Sequence, residues 1–343
     1  MFQRILVPLD GSKRAERALP IAARIAHTTG GSIVLVQVVN IPMGYTPAQT
    51  QSVAFEQEVL QITSEARKYL ADVSSSDVLT GIPTEIEVSF GVPASTILDM
   101  VPTQNVDIII ICSHGSTGMR HWVLGSVAQK IARHSPVPVL ILREDGTLPL
   151  GSYPDPTRPL RAFGAIVALD GSALSELTLE PVAHLVAALA APAKGILHLT
   201  HVIALPLPEG GPDAEDSIEP GMQEDALRKV KKYLSNVTEE LHQSLAKDLK
   251  LVVNWSVATD SDVAQGLIGV AEKGEISYGT AIAGGCDLIA MTTHGRGGIQ
   301  DWTLGTVAER VLSGTKLPVL IVRPQEKKSL PSLADIEPEE AEV

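Results

Sequence analysis

Ser113-His114-Gly115, separated by eight residues from Leu124-Gly125-Ser126-Val127-Ala128, returns 180 positions on as Thr293-His294-Gly295 and Leu304-Gly305-Thr306-Val307-Ala308. Each copy runs into an apolar segment containing proline: Pro136-Val137-Pro138-Val139-Leu140-Ile141-Leu142-Arg143 in the first, Leu317-Pro318-Val319-Leu320-Ile321-Val322-Arg323 in the second. A chain that repeats both a motif and its continuation is a tandem duplication, so the fold of one unit decides the whole.

A second repeated signal marks where each unit starts. Ile5-Leu6-Val7-Pro8-Leu9-Asp10-Gly11-Ser12 recurs as Ala165-Ile166-Val167-Ala168-Leu169-Asp170-Gly171-Ser172 at an offset of 160, so the second unit carries about 20 extra residues between its signatures. The expected organisation is a first domain over 1–143, a Pro-rich linker over 144–161, a second domain over 162–323 with inserted loops, and an acidic, disordered tail over 324–343. The insertions fall at Leu205–Met222, which is acidic and rich in Pro and Gly, and near Gly274–Gly284.

Within the first unit, the apolar run Ile5–Leu9 reads as a strand and Arg14–His27 as a helix, with Ala18, Leu19, Ala22, Ile25 and Ala26 at helical spacing. Strand Ser32–Val39 comes next. A helix then carries Val59, Ile62, Ala66, Tyr69, Leu70 and Val73 on one face, matched in the second unit by Ala226, Val230, Tyr233, Leu234, Val237 and Leu241. A strand at Glu85–Phe90, a helix from Ala94, a strand at Asp107–Cys112, a helix from Gly125 and a strand at Val137–Leu142 complete it. This alternation predicts an α/β fold: two repeated, doubly wound, parallel five-stranded sheets, Rossmann-like, each flanked by helices.

Composition agrees. Of 343 residues, 44% are hydrophobic but only 3% aromatic, so the core is built from Val, Ile, Leu and Ala, as buried parallel strands favour. Cys112 and Cys286 occupy different repeat positions and form no disulfide framework, which points to a reducing compartment. The net charge of -13 argues against nucleic acid as a partner. No run of about 18 apolar residues suggests a membrane span, and the chain opens directly into a strand pattern, so a cytoplasmic protein with no membrane partner is expected.

In a doubly wound sheet, ligands sit at the carboxyl ends of the strands where the winding reverses, which brings the end of strand 1 beside the end of strand 4. Those ends are Asp10 and Ser113-His114-Gly115 in the first unit, Asp170 and Thr293-His294-Gly295 in the second. Gly125-Ser126 and Gly305-Thr306 each open a helix, where free N–H groups and a hydroxyl make a cradle for phosphate. The pattern suggests a nucleotide with base and ribose near Asp10 and phosphates near Gly115 and Gly125-Ser126.

On these motifs both units resemble universal stress protein domains, over nearly the whole chain apart from linker, insertions and tail. ATP-binding members of that family carry Gly-x2-Gly-x9-Gly-Ser/Thr after strand 4. Gly115-x9-Gly125-Ser126 and Gly295-x9-Gly305-Thr306 match its last part, whereas Cys112 and Thr292 replace the first glycine. The wider superfamily is adenine-nucleotide alpha-hydrolase-like. The resemblance implies an ATP site in the first unit made of Pro8, Leu9, Asp10, Val38, Cys112, Ser113, His114, Gly115, Gly125, Ser126 and Val127. In the second it implies Ala168, Leu169, Asp170, Val202, Thr292, Thr293, His294, Gly295, Gly305, Thr306 and Val307. It further implies Mg2+ as a companion of ATP rather than a protein-held metal, a stress-response role with an unidentified protein partner, and an intramolecular pseudo-dimer through the closing strands, with a homodimer as a further option.

Blander readings stand beside these. Asp10-Gly11-Ser12 also reads as a turn and helix cap, and His114 and His294 as loop-orienting residues. Trp122 and Trp302 read as packing residues, Arg120 and Arg296 as solvated charges. No Gly-x4-Gly-Lys-Ser/Thr loop, His-Glu-x2-His site, Gly-x-Ser-x-Gly elbow, Cys-x2-Cys pair or Gly-x-Gly-x2-Gly turn is present, so no catalytic residue is nominated and a weak ATPase is the most expected. The alternatives are an interaction scaffold with degenerate pockets and an ATP-cleaving enzyme of the wider superfamily. The latter wants a Ser-Gly-Gly-x-Asp-Ser loop, which Asp10-Gly11-Ser12-Lys13 is not.

Overall fold

The computed structural model describes residues 1–40, 53–113, 124–143, 162–205, 220–281, 285–294 and 304–324. All of the expected linker, most of the larger inserted loop and the tail beyond Pro324 lie outside these residues.

The first repeat contains β1 (Arg4–Leu9), α1 (Leu19–Thr29), β2 (Ser32–Val39), α2 (Val53–Ser74), β3 (Thr84–Phe90), α3 (Pro93–Thr103), β4 (Ile108–Cys112), α4 (Ser126–His134) and β5 (Val139–Leu142). The second contains β6 (Gly164–Ala168), α5 (Ala173–Glu176), α6 (Leu179–Ala190), β7 (Gly195–Ala204), α7 (Pro220–Gln243), α8 (Leu245–Asp248), β8 (Leu251–Asp260), α9 (Val263–Lys273), β9 (Tyr278–Gly279), β10 (Leu288–Thr292), α10 (Thr306–Gly314) and β11 (Val319–Val322).

The strand order is β3-β2-β1-β4-β5-β11-β10-β6-β7-β8-β9. Each repeat is parallel and doubly wound, with the reversal between β1 and β4 in one and between β6 and β10 in the other. β5 pairs antiparallel with β11 (Ile141 opposite Val319), the closing strands through which the sequence reading expects the units to meet, so the two sheets are continuous. Two details differ from that reading. β9 adds a further, antiparallel strand on β8. The helix expected from Arg14 begins at Leu19, after a 3-10 turn over Ala15–Ala18. Pro20 accounts for this: it has no N–H to bond back one turn and is best placed at a helix start.

Alternation along the strands builds two apolar layers. Ile5, Val7, Leu35, Leu140, Val167 and Leu320 face one side with α1, α2, α6 and α7. Leu6, Val34, Val36, Ile109, Ile141, Ile289 and Ile321 face the other with α3, α4, α9 and α10. Strands apolar on both faces must be covered on both, which is why helices flank each side. The stretch Ala173–Ala190, with mean hydropathy 1.3, is apolar enough by length and composition to cross a bilayer, more than the sequence reading grants. Here it is 56% buried, and α6 packs against α1, β6 and β7.

Across the repeat boundary, α1 meets α6, where Arg24 Nη2 donates to Ala191 O at 3.1 Å and Thr28 Oγ1 to Ala188 O at 3.1 Å. On the opposite face Arg133 pairs with Glu309, and Arg323 Nη1 donates to His134 O at 3.2 Å.

Candidate functional site

A cavity of about 250 Å³ opens at the winding reversal of the first repeat. Its walls are the end of β1 (Pro8, Leu9, Asp10), the inner face of β2 (Val36, Val38), the first turns of α3 (Pro93, Ile97), the end of β4 (Ile111, Cys112, Ser113) and the start of α4 (Gly125, Ser126, Val127, Ala128), together with Ala15. Of the residues expected in the first unit, His114 and Gly115 lie outside the described residues. Pro8, Leu9, Asp10, Val38, Cys112, Ser113, Gly125, Ser126 and Val127 all line this one space.

Local chemistry explains each wall. Gly11 has φ +82°, the left-handed region that favours glycine, and this lets the chain turn sharply off β1. Asp10 Oδ1 accepts from Ser12 N at 3.0 Å and Ser12 Oγ at 2.6 Å, and Ser12 Oγ accepts from Ala15 N at 3.2 Å. The turn-and-cap bonds are thus in place, with the Asp10 carboxylate at the cavity mouth. Gly125 N donates to Ser113 O at 2.8 Å, which holds the α4 start against the end of β4. The N-terminal N–H groups of this nine-residue helix therefore lie at the cavity's edge.

Cys112 also faces this space. Its thiol donates to Arg14 O at 3.0 Å, and burial pushes its pKa up to about 12, only partly opposed by Arg17. A thiol held protonated this firmly is no nucleophile at neutral pH.

The second repeat reproduces the frame. Gly171 has φ +82°, Asp170 Oδ1 accepts from Ser172 N at 2.9 Å and Oγ at 2.6 Å, and Ser172 Oγ accepts from Ser175 N at 3.2 Å. Gly305 N donates to Thr293 O at 2.9 Å. Ala168 is half-buried and Thr306 exposed, whereas Leu169, Val202, Thr292 and Thr293 are buried. Val307 packs partly buried against the α9/α10 layer. Thr292 Oγ1 donates to His294 O at 2.7 Å, and His294 Nδ1 meets Thr293 Oγ1 at 2.9 Å, in keeping with a loop-orienting histidine. Gly295 lies outside the described residues, as do Trp122, Trp302, Arg120 and Arg296.

The sequence reading missed Ala15, Val36, Pro93, Ile97, Ile111 and Ala128. Val36 was within reach, because it shares a strand face with Val38 at period two. Also missed was a paired contact. Tyr69 Oη donates to Glu16 Oε1 at 3.3 Å and Tyr233 Oη to Glu176 Oε1 at 2.9 Å, with burial and then the carboxylate holding each phenol protonated. Both members sit at matching repeat positions, which was the available signal.

One cluster is confined to the second repeat. His198, fully buried, meets Asn254 Oδ1 through Nδ1 and Ser256 Oγ through Nε2 at 2.7 Å, and Thr200 Oγ1 lies 3.3 Å from Ser256 Oγ. Burial lowers the imidazole pKa to about 4, so it is neutral at physiological pH. The first repeat has Val34 at the matching place.

The universal stress protein family profile matches residues 1–143 and 165–323. Universal stress protein Rv2005c of Mycobacterium tuberculosis is 25% identical over 324 residues, covering 93% of this chain and 96% of its own length. Universal stress protein YxiE of Bacillus subtilis is 28% identical over 148 residues, covering 42% of this chain and all of its own. Among solved structures, a universal stress protein from Archaeoglobus fulgidus superposes with TM-score 0.62 at 19% identity, covering 94% of this chain and 99% of its own, and this supports the fold alone.

Proposed function

The chain belongs to the universal stress protein family, and on that premise we propose that it is an adenine-nucleotide-binding regulatory protein of the stress response, with ATP seated in the first repeat. The observation that carries this reading is the convergence of Asp10, the Val36–Val38 strand face and the Gly125-Ser126 helix start on one cavity. At about 250 Å³ it is smaller than the roughly 300–1,000 Å³ of pockets that enclose a drug-sized ligand, so it would hold the base and ribose while the phosphates extend past it.

The base would lie on Val36, Val38 and Ile97, the ribose hydroxyls against Asp10, and the phosphates toward the α4 N-terminus, where N–H groups and the Ser126 hydroxyl favour anions. Among the described residues no group of three His, Cys, Asp or Glu is placed to hold a metal, so Mg2+ would be carried by the phosphates. The described walls offer no pair of carboxylates and no neutral base beside the phosphate end. Hydrolysis would therefore be slow, and binding itself would be the signal.

Two further expectations belong to this reading. The β5–β11 pairing supports treating the repeats, bounded at 1–143 and 162–323 and joined by the linker 144–161, as an intramolecular pseudo-dimer. The family, the reduced-thiol composition and the negative charge support a cytoplasmic protein with no nucleic-acid or membrane partner.

The test is native mass spectrometry of the gently purified full chain, followed by ATP titration calorimetry. A bound adenine nucleotide, or saturable binding near one per chain, is the expected result. Absence of both would replace this reading with the interaction scaffold.

A further inference from the structure

The two outer edges of the eleven-stranded sheet are treated differently. On the second repeat's edge, β9 lies antiparallel on β8, with Ser256 opposite Gly279 and Val257 opposite Tyr278. Ser277 N donates to Val257 O and Thr280 N to Trp255 O, both at 2.9 Å, so Trp255 and Val257 turn their backbone groups outward. The first repeat's edge is β3, the terminal strand in the order, with no strand paired beyond it among the described residues. Ile86 (37%) and Phe90 (40%) are exposed there.

We propose that the β3 edge is where a second copy of this chain docks, β3 against β3 antiparallel about a two-fold axis at Val88, to make one sheet through both molecules. Three observations carry this.

The first is backbone direction. Pro83 O accepts from Ile33 N and Gly91 N donates to Val39 O, so the odd-numbered residues of β3 face β2. By alternation Ile86, Val88 and Phe90 face outward, and an antiparallel partner must pair outward residues with outward residues.

The second is register. With the axis at Val88, Ile86 lies opposite Phe90 of the second copy and Glu87 opposite Ser89, so exposed apolar residues meet and no carboxylates do. Moving the axis to Glu87 sets Glu87 against Glu87, and moving it to Ile86 sets Glu85 against Glu87, both like-charge pairs that oppose docking. Glu85 is already neutralised by Arg4 within its own molecule, at 2.7 Å.

The third is the internal precedent. Val88 and Val257 occupy the same repeat position, Val88 beside Gln37 on β2 and Val257 beside His201 on β7, so the chain itself seats an antiparallel strand at this point of the equivalent edge. An open edge carrying exposed apolar side chains is one that proteins otherwise protect.

Sedimentation velocity on the full chain over a rising concentration series tests this. The wild type is expected to pass from 36.3 kDa to twice that mass. Ile86→Lys, which strips both symmetry-related Ile86–Phe90 pairs and adds edge charge, is expected to weaken association at least about tenfold with an unchanged circular dichroism spectrum. Phe90→Lys, at the strand end, serves as the second variant if Ile86→Lys misfolds. A wild type that stays monomeric throughout, or a dimer that a folded edge variant leaves untouched, overturns the proposal.

Discussion

The two repeats agree where the backbone must turn and differ where a side chain has only to fill space. Asp10–Ser12 and Asp170–Ser172 make the same hydrogen bonds. Gly125 and Gly305 each donate to the carbonyl of the residue just past β4 and β10, Ser113 and Thr293, and Tyr69–Glu16 and Tyr233–Glu176 tie a helix to the first turn in both. By contrast Cys112 bonds back to Arg14 O while Thr292 bonds forward to His294 O, and Val34 faces a polar counterpart in His198. The shared bonds are what this fold needs to bring strand ends together. The differences lie on the inner strand face and at the fourth strand end, so the two repeats present different side chains at these places.

The largest test of that comparison is acidification. His198 has its folded pKa near 4, below the roughly 6.5 of an unfolded histidine. The unfolded chain therefore binds the proton more readily between these values. The stabilisation is fully present above pH 6.5 and is lost as the pH falls toward 4, by up to about 3 kcal/mol. Urea unfolding at pH 7 and pH 4.5 should show this loss, and a variant that replaces His198, Asn254 and Ser256 together with apolar residues should show much less of it. An equal pH dependence in the two proteins would mean that the difference at position 198 is energetically silent.

A change at Gly305 probes the shared frame. A Cβ there would approach Thr293 O to 2.9 Å, and that oxygen belongs to backbone and cannot swing aside. Gly305→Ala should cost about 2 kcal/mol in unfolding free energy, within the range for overpacking. A neutral result would show that the backbone at Thr293 yields to admit a Cβ, so that close approach is not what requires glycine there.

Paired substitutions sharpen the functional contrast. Asp10→Ala should weaken ATP binding to the full chain about tenfold, the loss of a charge-assisted hydrogen bond to a ribose hydroxyl. Asp170→Ala should leave the binding at the first site unchanged. Calorimetry that reverses this ranking would move the principal site to the second repeat.

The smallest effect is expected at the repeat boundary. The Arg133–Glu309 pair is 31% and 40% exposed, so Arg133→Met should shift stability by less than about 1 kcal/mol, with the β5–β11 strands and the α1–α6 contact doing most of the joining. A larger loss, measured by urea unfolding, would make the ion pair a principal clamp between the repeats.

Most of the first repeat's cavity was legible as a motif because its residues are placed by backbone necessity. Asp10-Gly11-Ser12 needs the left-handed glycine, and Gly125-Ser126 must open a helix close to a carbonyl. Pro93 and Ile97 were not legible. They reach the cavity only because α3 packs across β2, and nothing in their local sequence separates them from ordinary helix residues. The His198 cluster was hidden for the same reason: Asn254 and Ser256 become its partners only through the register that sets β8 beside β7.

The sequence by itself determined the duplication, the alternation of strand and helix, and the strand ends at which the chain can turn, because these depend on local periodicity and on glycine's freedom at positive φ. The tertiary structure alone decided that β5 meets β11 in one register, that β9 covers one sheet edge while β3 bounds the other, and which helix residues face the cavity. These are pairings between segments far apart in the chain. They are settled by which apolar faces must be covered together and which backbone groups still need partners.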